Sequence, residues 1–224
     1  MPTLSVIVPV YNEAKTIREI LKKIDSVPLD KEIIVVDNHS SDGTDKILRD
    51  CRLDHLTVIY HATNLGKGAS VRTGLSNAKG EFVVIQDADL EYEPGDYLRL
   101  MEAMHNENAD LVVGARFMKG YKGLFVHKLG NRFLTLLVNS LFGVRLNDCL
   151  TCYKLFRREV IQTLDLKSQG FDIEIEIISK AIRKKFKIVE TSVQYHPRSY
   201  GEGKKIRISD GFKVALSILK YRLI

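Results

Sequence analysis

Three acids close an apolar run in the stretch GEFVVIQDADLEYEPG, residues 80–95: Asp87, Asp89 and Glu91. Carboxylates placed side by side repel one another, and crowding them at the end of a strand costs stability unless a cation or solvent relieves it. In an extended segment alternate residues point the same way, so the three acids would share a side, with Ala88 leaving space. A hard divalent cation is the natural relief. Mg2+ or Mn2+ keeps several waters and bridges one or two carboxylates to substrate phosphates. The plainer reading is a solvated acidic turn. The position of the cluster, at a strand end opposite other polar strand ends, favours metal and diphosphate.

Other residues suit the same chemistry. Asp37 ends the run IIVVD, where a carboxylate either accepts from a nucleobase N–H or caps the helix that follows. NLGKG, residues 64–68, offers backbone N–H groups, a helix N-terminus and Lys67, all suited to an anion. The Walker pattern is absent, and no G-x-G-x-x-G follows the first strand, which counts against a dinucleotide dehydrogenase. Cys149 and Cys152 form a C-x-x-C without a second ligand pair, so packing is their expected role. Three cysteines give no disulfide framework, as suits a reducing cytosol. The histidines lack metal spacing, and His127 and His196 are expected at the surface or in packing.

The elements that must position these residues follow from hydrophobic period. Strands are expected at 4–10, 31–37, 56–61, 81–89 and 109–116. Helical stretches fall between them, within 12–25, 40–51, 64–78 and 94–107, with Asn12 as an N-cap and Pro94 near a first turn. Ile17, Ile20, Leu21 and Ile24 share one face of the first helix. Such alternation indicates a doubly wound, mostly parallel α/β sheet, in which ligands bind at the carboxyl ends of the strands. The polar residues fall there: Tyr11 to Glu13, Asp37, Asn64 to Gly68, Asp87 to Glu91, and Arg116. Beyond Arg116 the spacing gives a mostly apolar helix at 128–143, a strand running into a short helix at 151–164, and a helix at 170–185. A strand at 186–197, a Gly/Lys loop and a terminal helix from Ile208 complete the chain. No linker separates two domains.

The chain has 224 residues and a net charge of +6, which favours an anionic partner. The charge is uneven. Arg116 to Asn147 carries six Lys/Arg and no acid, and Arg183 to the end carries eleven against three. The segments around Phe133–Phe142 and Phe212–Ile224 combine apolar faces with basic ends, as interfacial helices do. No run approaches the ~20 apolar residues of a spanning helix, and no signal peptide is visible. Nucleic acid is not expected, because no recognition motif occurs.

In this order, VPVYNE, VVDNHSSDGT, NLGKG, QDADLE, GARF, CYKLFRR and PRSYGEGKK resemble family 2 glycosyltransferases of the GT-A fold, and most of all the polyprenyl-phosphate hexose synthases. The resemblance runs to about Arg207. It implies one GT-A domain over 1–224, with a nucleotide-sugar-binding half at 1–116 and an acceptor-binding half at 117–224 that ends in an amphipathic helix. It implies nucleotide-sugar contacts at Pro9, Tyr11, Glu13, Val35, Asp37, Asp87 and Ala88, metal ligands Asp89 and Glu91, and Mg2+ or Mn2+ as cofactor. Arg116, Arg198 and Lys204 fall where basic groups meet the donor diphosphate and acceptor phosphate, and Arg132 and Thr135 where acceptor contacts lie. Lys67 joins the donor set from its loop. DCLTCYK and EGKKI depart from the mannose synthase pattern and leave the donor sugar open.

The implied reaction is an inverting hexosyl transfer from a nucleotide-diphosphate sugar to a polyprenyl phosphate, by a cytoplasmic enzyme peripheral at an anionic membrane face. A phosphate monoester is already largely anionic at pH 7, its second pKa being about 6, so no dedicated base is required. Such an acceptor must be held by cations, and the basic second half supplies them. Two alternatives stay open. A relative that glycosylates a sugar hydroxyl would need a base, Asp148 or Asp172. A non-catalytic nucleotide-sugar-binding subunit would bind donor without transfer.

Overall fold

The computed structural model describes residues 1–118, 125–198 and 208–223. Apolar, largely β-branched runs form the strands β1 (Leu4–Val10), β2 (Lys31–Asp37), β3 (Leu56–Tyr60), β4 (Phe82–Ile85), β5 (Leu111–Ala115), β6 (Lys154–Arg157) and β7 (Ile188–Ser192). They join in one sheet, in the order β3-β2-β1-β4-β6-β5-β7. Only β6 runs against its neighbours; every other pairing is parallel. The sheet is thus mostly parallel, as expected from the alternation of elements.

Helices cover both faces: α1 (Ile17–Ser26), α2 (Thr44–Asp50), α3 (Lys67–Asn77), α4 (Tyr97–Asn106), α5 (Phe125–Phe142), α6 (Arg158–Gln162), α7 (Ile173–Arg183) and α8 (Ile208–Leu223). A strand buried on both sides reads as a continuous apolar run, and its alternate residues serve opposite cores. Val6 and Val8 join Ile17, Ile20, Leu21 and Ile24 of α1, whereas Ile7 packs on the opposite side with Ile34 and Val83. A further cluster gathers residues of α5, α7 and α8 around Ile85, Leu111, Val113 and Phe156.

Two boundaries differ from the sequence expectation. The fourth strand stops at Ile85 rather than running to Asp89. Residues 88–90 turn instead, and Leu90 takes a left-handed φ of 62°. The first helix begins at Ile17 with Thr16 as its N-cap, not at Asn12. Asn12 has φ 51°, and its side-chain oxygen accepts from the Ser41 N–H, tying the β1 turn to the loop after β2.

The segment before α7 approaches α3 closely. A Cβ on Gly68 would meet the Ser168 carbonyl oxygen at 2.4 Å, and one on Gly66 the Gln169 oxygen at 2.3 Å. The contact is backbone on backbone, so it cannot yield by rotating a side chain. Gly68→Ala is expected to lower stability by about 1–3 kcal/mol, as overpacking does. Chemical denaturation would read this as a lowered midpoint.

Candidate active site

The chain order reverses at β1, since β2 and β3 lie on one side of it and β4 on the other. Open α/β sheets bind ligands at such a switch point. Glu13 follows β1, and Asp87, Asp89 and Glu91 follow β4, so the acids face one another across it. Arg198, from the segment after β7, closes the corner. Its guanidinium lies 3.0 Å from Glu13 and 3.2 Å from Asp89. Its backbone N–H donates to Glu91 Oε1, and the Tyr195 hydroxyl donates to Glu91 Oε2. The Arg198 Nε–H is buried with no hydrogen-bond partner among the described residues.

The three acids stay within electrostatic reach of one another although the segment is not extended. The Asp89 carboxylate accepts from the Glu91 N–H, which stabilises the turn that Leu90 makes. The fate of each acid differs. Asp87 is held by Lys67 Nζ at 2.8 Å. Asp89 is pushed up to about 7 by burial and by the charges of Asp87 and Glu91, which Arg198 offsets only in part.

The corner fits a divalent cation by charge. Among the described residues the side-chain cations Lys67, Lys154 and Arg198 pair with four carboxylates, Glu13, Asp87, Asp89 and Glu174, while a fifth, Glu91, accepts the Arg198 backbone N–H. No three carboxylates, imidazoles or thiols converge into a closed cage among those residues. Two carboxylates with open positions left for water and phosphate is the arrangement Mg2+ and Mn2+ use. Asp89 and Glu91 would hold the ion, which when bound would neutralise charge on a departing diphosphate.

Several expected site residues sit differently from the sequence reading. NLGKG is not an open anion nest: the Gly68 and Ala69 N–H groups at the start of α3 already donate to the Gln169 carbonyl. Lys67 is likewise engaged, between Asp87 and Glu174. Arg116 is buried and bound through two nitrogens to Asp148, at 2.7 and 2.8 Å, and it packs against the Tyr195 ring. Asp148 is fully buried, which leaves it unsuited to the role of a base. Asp172 is half-buried and accepts from the Ser168 hydroxyl.

Thr135 is buried, with its hydroxyl against the Cys149 thiol, so it faces the core rather than an acceptor. Arg132 is exposed on α5. No hydrogen bond or ion pair among the described residues joins either to the acid corner. Val35 lies in the core, with its strand hydrogen-bonded on both sides, so its side chain does not reach the crevice. Asp37 does not cap α2; its carboxylate accepts from the Ser40 hydroxyl and N–H and stays buried at the strand end. Pro9 is half-buried, Tyr11 exposed and Ala88 buried beside the acids. Lys204 lies outside the described residues.

A model of glycosyl transferase family 2 matches residues 5–165. The chain belongs to this family of glycosyltransferases. It is 29% identical to the polyprenol monophosphomannose synthase of Mycolicibacterium smegmatis, over 89% of this chain and 79% of that protein. It is 32% identical to the dolichol-phosphate mannosyltransferase of Pyrococcus furiosus, over 90% of this chain. It spans only 58% of the Pyrococcus protein and 52% of a low-salt glycan biosynthesis hexosyltransferase from Haloferax volcanii. The fold matches glucosyl-3-phosphoglycerate synthase of Mycobacterium tuberculosis, solved with Mn2+ and UDP, at a TM-score of 0.76 and 23% identity. That match covers 100% of this chain and 81% of that one. The GT-A fold expected from the motifs is therefore the fold found.

In this family 2 glycosyltransferase the sequence reading missed Lys154, Glu174 and Tyr195. Lys154 is fully buried in β6 and bonded to Glu174. The signals were a lone Lys between Tyr153 and Leu155, and acids alternating with Ile in DIEIEI, where an exposed helix face would group its charges. Removing one partner of a buried ion pair typically costs about 3–5 kcal/mol. Asp148→Asn, which strips Arg116 of its counter-charge, is therefore expected to lower stability by about that much. Were Asp148 a base, the variant would melt like the wild type and lose only turnover.

Proposed function

We propose that this chain moves a hexosyl group from a nucleotide-diphosphate sugar to a polyprenyl phosphate at a membrane surface. The observation that carries the reading is the acid corner at the switch point, closed by Arg198. The donor half is residues 1–116. Asp37, Tyr11 and Pro9 receive the nucleoside, and Asp87 and Ala88 contact the donor beyond it. Asp89 and Glu91 hold the cation beside the diphosphate. Arg198, whose buried Nε–H has no hydrogen-bond partner among the described residues, takes up charge as the diphosphate departs, and Lys204 joins it.

The acceptor half is residues 117–224. A phosphate monoester needs no base, and Asp148, one of the two residues that a hydroxyl acceptor would call on, is neutralised by Arg116. Attack opposite the departing diphosphate inverts the anomeric centre. These points favour the phosphate acceptor over a sugar hydroxyl, and the assembled acid corner speaks against a non-catalytic subunit. The names of the Mycolicibacterium and Pyrococcus relatives support a lipid phosphate acceptor. The donor is GDP-mannose, UDP-glucose or UDP-N-acetylhexosamine.

Among the described residues no helix is long and apolar enough to cross a membrane. Two helices that pack on each other nonetheless expose apolar stripes. Leu129, Phe133 and Leu136 lie along α5, and Phe212, Leu216, Leu219 and Leu223 along α8, with exposures of 46–86%. Lys128, Arg132, Lys213, Lys220 and Arg222 lie on the same two helices. Apolar stripes flanked by cations suit an anionic leaflet, where each Lys or Arg contributes about 1 kcal/mol. We assign this face to peripheral membrane contact.

Incubation with Mn2+, short-chain polyprenyl phosphate and the three donors is expected to yield a glycolipid, detected by mass spectrometry. Asp89→Ala should abolish it; normal turnover in that variant would defeat the metal assignment. In vesicle flotation, Phe133→Glu with Leu216→Glu should release the protein from anionic vesicles without changing its melting temperature. Unchanged flotation would remove the membrane face from the account.

A further inference from the structure

A file of alternating charges runs from the interior of the sheet to the crevice. It begins at Lys154 in β6, whose ammonium meets Glu174 of α7 and the Thr151 carbonyl. The other Glu174 oxygen lies 3.2 Å from Lys67 Nζ at the start of α3. Lys67 Nζ in turn lies 2.8 Å from Asp87, just past β4. Side-chain exposure rises along the file, from 0% at Lys154 through 7% and 13% to 22% at Asp87. Only the last carboxylate opens substantially on the crevice.

Stability alone does not account for this file. Desolvating an ion pair can cost more than its Coulomb attraction returns, and apolar replacements of buried pairs are often neutral or stabilising. The file also joins the two halves of the chain. Lys67 and Asp87 belong to the donor half, Lys154 and Glu174 to the acceptor half. The Cys152 side chain, from the same DCLTCYK segment as Lys154, lies beside Asp87 as well. Burial opposes both charges at the crevice end, yet Asp87 keeps Lys67 firmly protonated and Lys67 keeps Asp87 ionised.

We propose that Glu174 and Lys154 are positioning residues for the donor: acting through Lys67, they fix the Asp87 carboxylate in the one orientation that receives the nucleotide sugar. The proposal rests on the reading of the crevice as a nucleotide-sugar site. It gives the departure of DCLTCYK from the mannose synthase pattern a function, because that segment supplies the inner end of the file.

Calorimetric titration with GDP-mannose, UDP-glucose and UDP-N-acetylglucosamine, each with Mn2+, tests it. For whichever donor the wild type binds, Glu174→Gln should weaken affinity about tenfold, the lower end of what loss of an outer supporting residue does to a site. Lys154→Met with Glu174→Gln removes the inner pair together. That double variant should melt near the wild type and show the same loss, and it decides the matter if Glu174→Gln alone does not fold. Because Glu174 acts through Asp87, Asp87→Asn with Glu174→Gln should bind no more weakly than Asp87→Asn alone. Wild-type affinity in the folded Glu174 variants, or losses that multiply in the Asp87→Asn background, would overturn the positioning role and leave the proposed function standing. Failure of the wild type to bind any of the three donors would overturn both.

Discussion

Negative charge crowded at the end of β4 is the constraint around which the molecule is arranged. Asp87, Asp89 and Glu91 turn together beside Glu13, largely out of solvent, where Coulomb repulsion is weakly screened. Each neighbour relieves one part of it. Lys67 neutralises Asp87, Arg198 spans Glu13 and Asp89, and Tyr195 with the Arg198 N–H satisfies Glu91. Among the described residues a surplus is left on Asp89, which a divalent cation would offset while its remaining positions took a diphosphate.

The same corner couples the two halves of the chain. β6 inserts between β4 and β5, so a strand from the second half of the chain is woven into the sheet that the first half builds. The backbone contact of Gly68 with Ser168 and Gln169, and the ion pair of Lys67 with Glu174, repeat that coupling next to the crevice. Arg198 repeats it once more, bringing the end of the β7 segment to residues that follow β1 and β4. Cations from one half of the chain thus fix anions of the other.

Much of this was legible in the sequence. Apolar period placed all seven strands, and strand-end polarity located the crevice, because both are local properties of the chain. The motif order named the family. What sequence concealed was partnership. Arg116 and Thr135 read as free ligands, yet their partners Asp148 and Cys149 stand far off in sequence. Lys67 and its glycines read as a phosphate cradle, but the backbone of residues 168–170 fills that space. The acids were expected to align by strand alternation; they are instead disposed around a turn at Leu90 that no period encodes. Lys154 was invisible because a charge inside a buried strand makes sense only once Glu174 lies against it.

The central claim is that a cation docks on Asp89 and Glu91 against a nucleoside diphosphate. Anomalous scattering from crystals grown with manganese and UDP or GDP tests it most directly. The account predicts a manganese peak about 2–2.5 Å from the carboxylate oxygens of Asp89 and Glu91, with diphosphate oxygens completing the shell. Nucleotide seated in the crevice with no manganese at that corner, or with manganese held elsewhere on the chain, would contradict it.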